Sequence, residues 1–558
     1  NVAIGQEALL DNTTGSYNVS VGSTALNSNT TAESNTAVGY AAMSANTTGA
    51  ENVGIGQAAL YTNTTGNYNV AVGRSALEAN TTAHNNTAIG YQSLTANTTG
   101  TNNVAIGKGA LIANTTANDN TAIGYEALYD NTTGANNTAL GKRAAYNITT
   151  GDDNTALGQD SLYTATTASD NTAVGFQTLY SNTSGEDNVA FGWNVLFDNT
   201  TASNNTGLGS SSLQQNTTGA DNTAVGYKSL YANTTGYSNV AVGNNALDAN
   251  TTGYENTAIG YLSLSSNTTG YFNNAFGMEA LEANTEGANN VGIGKWALTT
   301  NTTGSSNVGI GYNALKANTT ADSNVAVGRE SLEANTTGTN NVAVGKAALE
   351  ANTTAGYNVA VGFNALKFTT TAGYNTAIGS QAIQTNTTGD ANAAIGYNAL
   401  FSNTTGTHNS AIGTQSMLLN TTGSHNTACG QAALFSNTTA SNNTAVGKNS
   451  LTASTTATGN AAVGRDSGLR VTTGSTNVFV GREAGYQLTT ASDNVFIGHL
   501  AGGSVTDRGH NIAIGREALN HGNQTNGYRN LLIGNYTDTN ATDSADQIVL
   551  GYDVTGHA

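Results

Sequence analysis

The pattern with the most evident chemistry in this chain is Asn-Thr-Thr. Read as an Asn-x-Thr acceptor, it would place N-linked glycans on Asn12, Asn29, Asn46, Asn63, Asn80, Asn97 and their later counterparts. The competing reading is structural: a stacked ladder of Asn amides, with Thr hydroxyls satisfying the backbone of a turn. Ile148, Ala165, Thr369 and Ser454 stand in the Asn place without disturbing the spacing, as expected of a turn device that other residues can replace. A second set comprises Tyr40, Arg74, Tyr91, Lys108, Tyr125 and Lys142, which share one place in successive sequence units, and ten of the 17 basic residues stand at that place. Such a line could engage a cell-surface glycan or host receptor by aromatic stacking and cationic hydrogen bonds. It could equally form a solvated rim paired with neighbouring acids such as Glu7, Glu126 and Glu330.

Other chemistries find little support. A calcium ladder needs recurrent Asp in a Gly-rich frame, whereas Asp and Glu gather at a loop edge and many units lack them. The seven His show no metal-ligand spacing. Regular Thr arrays on a flat solenoid could match an ordered water lattice, so ice binding is a third reading; neighbouring extended Thr, however, point to opposite faces. No nucleophile, base and oxyanion constellation is present, and no phosphate loop. The expectation is a chain without metal, cofactor or catalytic activity. Cys429, the single cysteine, occupies a place that Val or Ile fills elsewhere and reads as a small buried apolar side chain.

The elements that must position these residues follow from composition and period. Of 558 residues only 9% are charged, 67 are Gly and none is Pro, so every backbone amide can donate to a neighbouring strand. A net charge of −18 argues against nucleic-acid binding, and no apolar run reaches membrane-spanning length. The chain begins within a repeat and without Met, as a fragment of something longer would.

An Asn anchor recurs every 17 residues from Asn1 to Asn511, then after 19 at Asn530, and a last step of 17 reaches Gln547. The unit reads N-[TV]-A-[VI]-G-x-x-[AS]-L-x-x-N-T-T-[GA]-x-x; slot 1 is the anchor Asn and slot 17 the last residue. Fixed short self-similarity is the mark of a solenoid. Slots 2 to 4 predict a short strand closed by Gly, slots 8 and 9 a second strand or an irregular arc, and N-T-T-G a corner. The expected fold is all-β: a parallel β-solenoid or β-roll of 17-residue coils. At a strand spacing of about 4.8 Å, the coils would make a rod roughly 150 to 160 Å long. Three segments are expected: regular repeats over 1–459, variant repeats over 460–529, and a terminating or transition segment over 530–558.

Slots 2 and 4 of a strand face one way and slot 3 the other. Slot 3 is Ala, Gly or Ser rather than a solvated polar residue, so both faces are expected to be buried, one inside the coil and one against another chain. Where slot 3 enlarges to Phe479 and Phe496, slot 9 shrinks to Gly485 and Gly502. Slots 3 and 9 therefore share the coil interior, leaving slots 2 and 4 for a neighbour; Gly468, paired with Ala462, departs from this rule. Ile4, Leu9, Val38, Leu77, Ile89, Leu94, Cys429, Phe479 and Phe496 form the expected apolar core.

The phrases "NVAIG", "NTAVGYAA" and "NVFIG" resemble the head repeats of trimeric autotransporter adhesins, bacterial surface proteins. That resemblance implies a left-handed parallel β-roll of three chains side by side, although the 17-residue unit is longer than the family's usual one. The stretches Gly468 to Gly503 and Asp546 to Ala558 resemble segments of phage tail fibres and related proteins that precede an endosialidase-type intramolecular chaperone. The resemblance implies a homotrimeric fibre at a cell surface or virion. The functional expectation is a non-enzymatic fibre shaft, either a phage tail fibre or a bacterial adhesin stalk serving attachment. The alternative is an extracellular filament protein that self-assembles end to end or laterally and is glycosylated at Asn-Thr-Thr.

Overall fold

The computed structural model describes residues 1–520, 527–540 and 544–556; parts of the segments expected over 460–529 and 530–558 thus lie outside the described residues. The fold is an all-β parallel β-solenoid. It divides into two compact units, Asn1–Glu279 and Ala280–Ala558. Among the described residues the first unit holds 17 three-residue strands, from Val2–Ile4 to Asn274–Phe276, and the second holds 16, from Val291–Ile293 to Ile548–Leu550. Within each unit neighbouring strands pair in parallel and in register, slot upon slot; Val70, Ala71 and Val72, for example, face Thr87, Ala88 and Ile89. The longer step between Asn511 and Asn530 leaves this register intact, since Ile512 still pairs with Leu531.

A coil this short closes because the backbone alternates its direction of hydrogen bonding. The amide of Thr24 at slot 7 donates to Gln6 O of the preceding coil at 2.8 Å, whereas that of Leu26 at slot 9 donates to Ala42 O of the following coil at 3.0 Å. Reversing successive peptides in this way requires left-handed backbone at slots 7, 9 and 17, and non-glycine residues adopt it in most coils, as in Thr24 (φ 55°), Leu26 (φ 45°) and Ser34 (φ 58°). The strain of each such residue, about 1 to 2 kcal/mol, is offset by an inter-coil ladder that extends well beyond the strands. Slot 5 is different. At Gly56 φ is +133° and a Cβ would stand 2.5 Å from Gly73 O, which accounts for the Gly that follows every strand. Slots 8 and 9 thus form tight turns rather than the second strand allowed by the sequence.

The interior is filled by small slot 3 and slot 8 residues and by one large side chain at slot 9. Ala37, Ala42 and Met43 are fully buried, as are Leu77 and Leu94. The Phe/Gly exchange has the geometry expected of shared volume. A Cβ with side chain at Gly485 would collide with the Phe479 ring, and one at Gly502 with the Phe496 ring. Gly468 ceases to be an exception, because a Cβ there would come within 2.8 Å of the Phe479 ring of the next coil. Phe479 therefore fills space left by two glycines, one on either side.

Four expected core residues lie elsewhere. Ile4 and Ile89 are exposed (61% and 38%), Val38 is half-buried, and Cys429 is exposed. All four occupy slot 4, on the side of the strand opposite the buried slot 3 side chain. Leu9 is half-buried, while Phe479 and Phe496 are fully buried.

Candidate functional site

The Asn of Asn-Thr-Thr points into the coil. Asn12 is half-buried, and Asn29, Asn46, Asn63, Asn80 and Asn97 are fully buried. Each forms a rung. Asn46 Nδ2 donates to Asn29 Oδ1 of the preceding coil at 2.9 Å and to Gly49 O of its own coil at 2.9 Å. A second ladder runs through slot 1, where the Asn52 amide donates to Asn35 Oδ1 at 2.9 Å and Asn52 Nδ2 to Gly66 O at 2.8 Å. The folded coil offers no free acceptor nitrogen at Asn29 to Asn97, because both Nδ2 hydrogens are engaged and no room surrounds them. The glycan-acceptor assignment is corrected accordingly at Asn29, Asn46, Asn63, Asn80 and Asn97: these residues hold the coil shut.

The replacements at slot 12 show the ladder's logic. Ile148, Ala165, Thr369 and Ser454 are fully buried, so they take the place of rungs in the interior. Each rung accepts from the next, and a replacement leaves the Asn before it without its donor. Asn131, Asn352 and Asn437, which precede Ile148, Thr369 and Ser454, keep an unpaired buried Oδ1, as do the hydroxyls of Thr369 and Ser454. The first Thr of the motif is consumed similarly: Thr47 Oγ1 donates to Thr64 O at 2.9 Å. The second, as in Thr48 and Thr65, is exposed, leaving one open hydroxyl rank rather than two.

Tyr40, Arg74, Tyr91, Lys108, Tyr125 and Lys142 are all exposed and stand in one column at slot 6. Most of their chemistry is used within the column. The Arg74 guanidinium lies 5.8 Å from the Tyr91 ring and the Lys108 ammonium 5.4 Å from that of Tyr125. The Tyr125 hydroxyl, donating to the Glu126 carboxylate, is held above the usual phenol range. Further along, Arg329 pairs with Glu330 at 2.7 Å, and Glu483 receives Arg482 at 2.8 Å and Arg465 at 3.0 Å. Those arginines, Arg482 foremost, hold the Glu483 carboxyl below its ordinary range.

Sequence reading missed the columns beside this line. At slot 10, Tyr129, Tyr146, Tyr163, Tyr180 and Phe197 stack face to face with centroids 5.0 to 5.2 Å apart. Arg143 lies over Tyr163 and pairs with the nearly buried Asp160 at 2.9 Å. Tyr237, Tyr254 and Tyr271 stack likewise at slot 16. Their recurrence at 17-residue intervals was the available signal. Stacked rings cover one another's faces, and little of each remains for a planar or pyranose ligand.

The strand itself presents the other notable surface. Slots 2 and 4 carry Val, Thr, Ile, Leu and a few Phe, Ala, Ser, Asn and Cys; among the described strands none carries a charge there. These side chains are half-buried or exposed, although the slot 3 residue between them is buried. No group of three or more His, Cys, Asp or Glu suited to a metal exists among the described residues, and no helix there is long and apolar enough to cross a membrane. Compared with protein families and with curated proteins, the chain matches none.

Proposed function

We propose that this chain is the shaft of a non-enzymatic extracellular fibre, such as a phage tail fibre or a bacterial adhesin stalk, in which three copies pack side by side. The observation that carries the reading is the uncharged strand face at slots 2 and 4. Parallel sheets are ordinarily covered on both faces, and apolar patches beyond a few hundred Å² mark interaction surfaces. Here the inner face is covered by the chain's own coil, and the outer face bears Ile55, Ile89, Ile259 and Ile395 in an open state. Two further copies supply matching β-branched ladders for it. The shaft's service is reach and stiffness, with attachment to a surface glycan or receptor as its outcome.

Cys429 provides an intrinsic probe, being the only thiol and standing on this face at slot 4. Maleimide labelling of the native protein is expected to be slow and to become rapid only in denaturant. Equal rates in the two conditions would leave the face uncovered and contradict side-by-side packing.

A further inference from the structure

We infer that the groove between Tyr40 and Tyr61 binds an oligosaccharide lacking acidic groups. The groove has a volume of about 390 Å³ and lies wholly within the first unit, on the arc that follows the strand. That volume falls within the usual range for small-ligand sites. Tyr40 at slot 6 forms one wall and Tyr61 at slot 10 the other, exposed by 62% and 41%. Its ends are marked by Glu7 and Glu78, which stand in the first and fifth coils. At about 4.8 Å per coil the groove is on the order of 19 Å long, suited to a short chain of sugars rather than a single ring.

Three features meet at this place. First, its rings are uncovered. Tyr91, Tyr125, Tyr227 and Tyr312 carry cations, and the tyrosines of slots 10 and 16 described above stack on one another; Tyr40 and Tyr61 have neither kind of partner among the described residues. Their slot neighbours in adjacent coils are Ser23 and Gln57 for Tyr40, and Ser44 and Glu78 for Tyr61. Second, the floor between the walls is open because slot 7 is Ala in two successive coils, Ala41 and Ala58. Elsewhere this slot commonly holds a long side chain, such as Gln92, Glu126 or Arg143. Third, the carboxylates of Glu7 and Glu78 belong to no ion pair among the described residues. Uncovered aromatic faces receive the C–H faces of pyranose rings, and unpaired carboxylates accept hydroxyl or ammonium protons. With no cation in the groove, sialylated or sulfated chains are repelled.

The test is calorimetry and saturation-transfer NMR of the full chain with cello-, malto- and chito-oligosaccharides and their deacetylated forms, with sialyllactose as the acidic comparator. Binding by at least one of the non-acidic chains is expected, with none by sialyllactose. Tyr40→Ala and Tyr61→Ala should each weaken binding about tenfold or more, the loss of one stacking face. Ala58→Gln should abolish binding by filling the floor while leaving thermal unfolding unchanged, because Gln occupies the same slot with the same left-handed backbone at Gln92 (φ 56°). Tyr91→Ala should have no effect. Absence of binding across the panel, or binding indifferent to Ala58→Gln and to both tyrosine variants, would overturn the inference, as would preference for sialyllactose. The groove lies off the strand face, so these outcomes do not depend on how many chains assemble.

Discussion

Asn35 and Asn46, one in each Asn ladder, both donate to Gly49 O at 2.9 Å. One carbonyl thus ties the start of a coil to its far corner, and the same arrangement recurs where Asn52 and Asn63 meet at Gly66. These coils are closed by side-chain amides in an interior that holds only one large apolar residue each, Met43 and Leu60.

Removing a rung should therefore loosen a single coil. Asn46→Ala strands Asn29 Oδ1 and withdraws the acceptor of Asn63 Nδ2. An unsatisfied buried polar group costs about 1 to 3 kcal/mol, so amide exchange in peptides spanning residues 43–66 should accelerate by about fivefold or more, with distant coils unaffected.

The converse substitution should stabilise. Thr369 interrupts the ladder between Asn352 and Asn386 and leaves Asn352 Oδ1 and its own hydroxyl unpaired. Thr369→Asn restores a donor to Asn352 and an acceptor for Asn386, for a gain of about 1 to 2 kcal/mol, read as slower exchange around residues 352–389.

Phe479 and Gly485 should be coupled. Phe479→Ala opens a cavity at a cost of about 3 to 5 kcal/mol, and Gly485→Leu alone drives a side chain into the ring. The double variant rebuilds the ordinary slot 3 and slot 9 pairing, so it should be more stable than the two single effects add up to. Exchange-derived stabilities should give a coupling of about 1 to 3 kcal/mol.

Asp248 should act against stability at neutral pH. Burial raises its carboxyl above the ordinary range, outweighing the lowering by its own amide, by Ala249 N–H and by Lys228. An acid whose folded pKa lies above its unfolded value near 3.9 binds more protons when folded, so stability falls as pH rises through that range. Asp248→Asn should stabilise its coil at pH 7, and the advantage should fade once pH drops below about 4.

The period and the inward role of slots 3 and 9 were legible in sequence because in-register stacking places each residue type upon itself; Phe479 with Gly485 even disclosed shared volume. The solvent-facing side of the strand was less so. Ile89 and Cys429 are apolar, and hydrophobicity alone does not say whether a residue faces its own coil or another chain. Left-handed backbone at Leu26 or Glu330 left no mark, since hydrogen bonding between coils imposes it on residues that do not favour it. The convergence of two amides on Gly49 depends on a carbonyl, which sequence does not display. Ala41 and Ala58 were a readable gap, but its meaning required knowing that Tyr40 and Tyr61 flank it.

The central claim is that the uncharged strand face is covered by two further copies of the chain. Light scattering coupled to size-exclusion chromatography, performed on the native protein, tests it most directly. A mass three times the 56.4 kDa of one chain is expected. A stable monomer would contradict the account, and a polydisperse mass rising with concentration would replace the closed trimer with open-ended assembly.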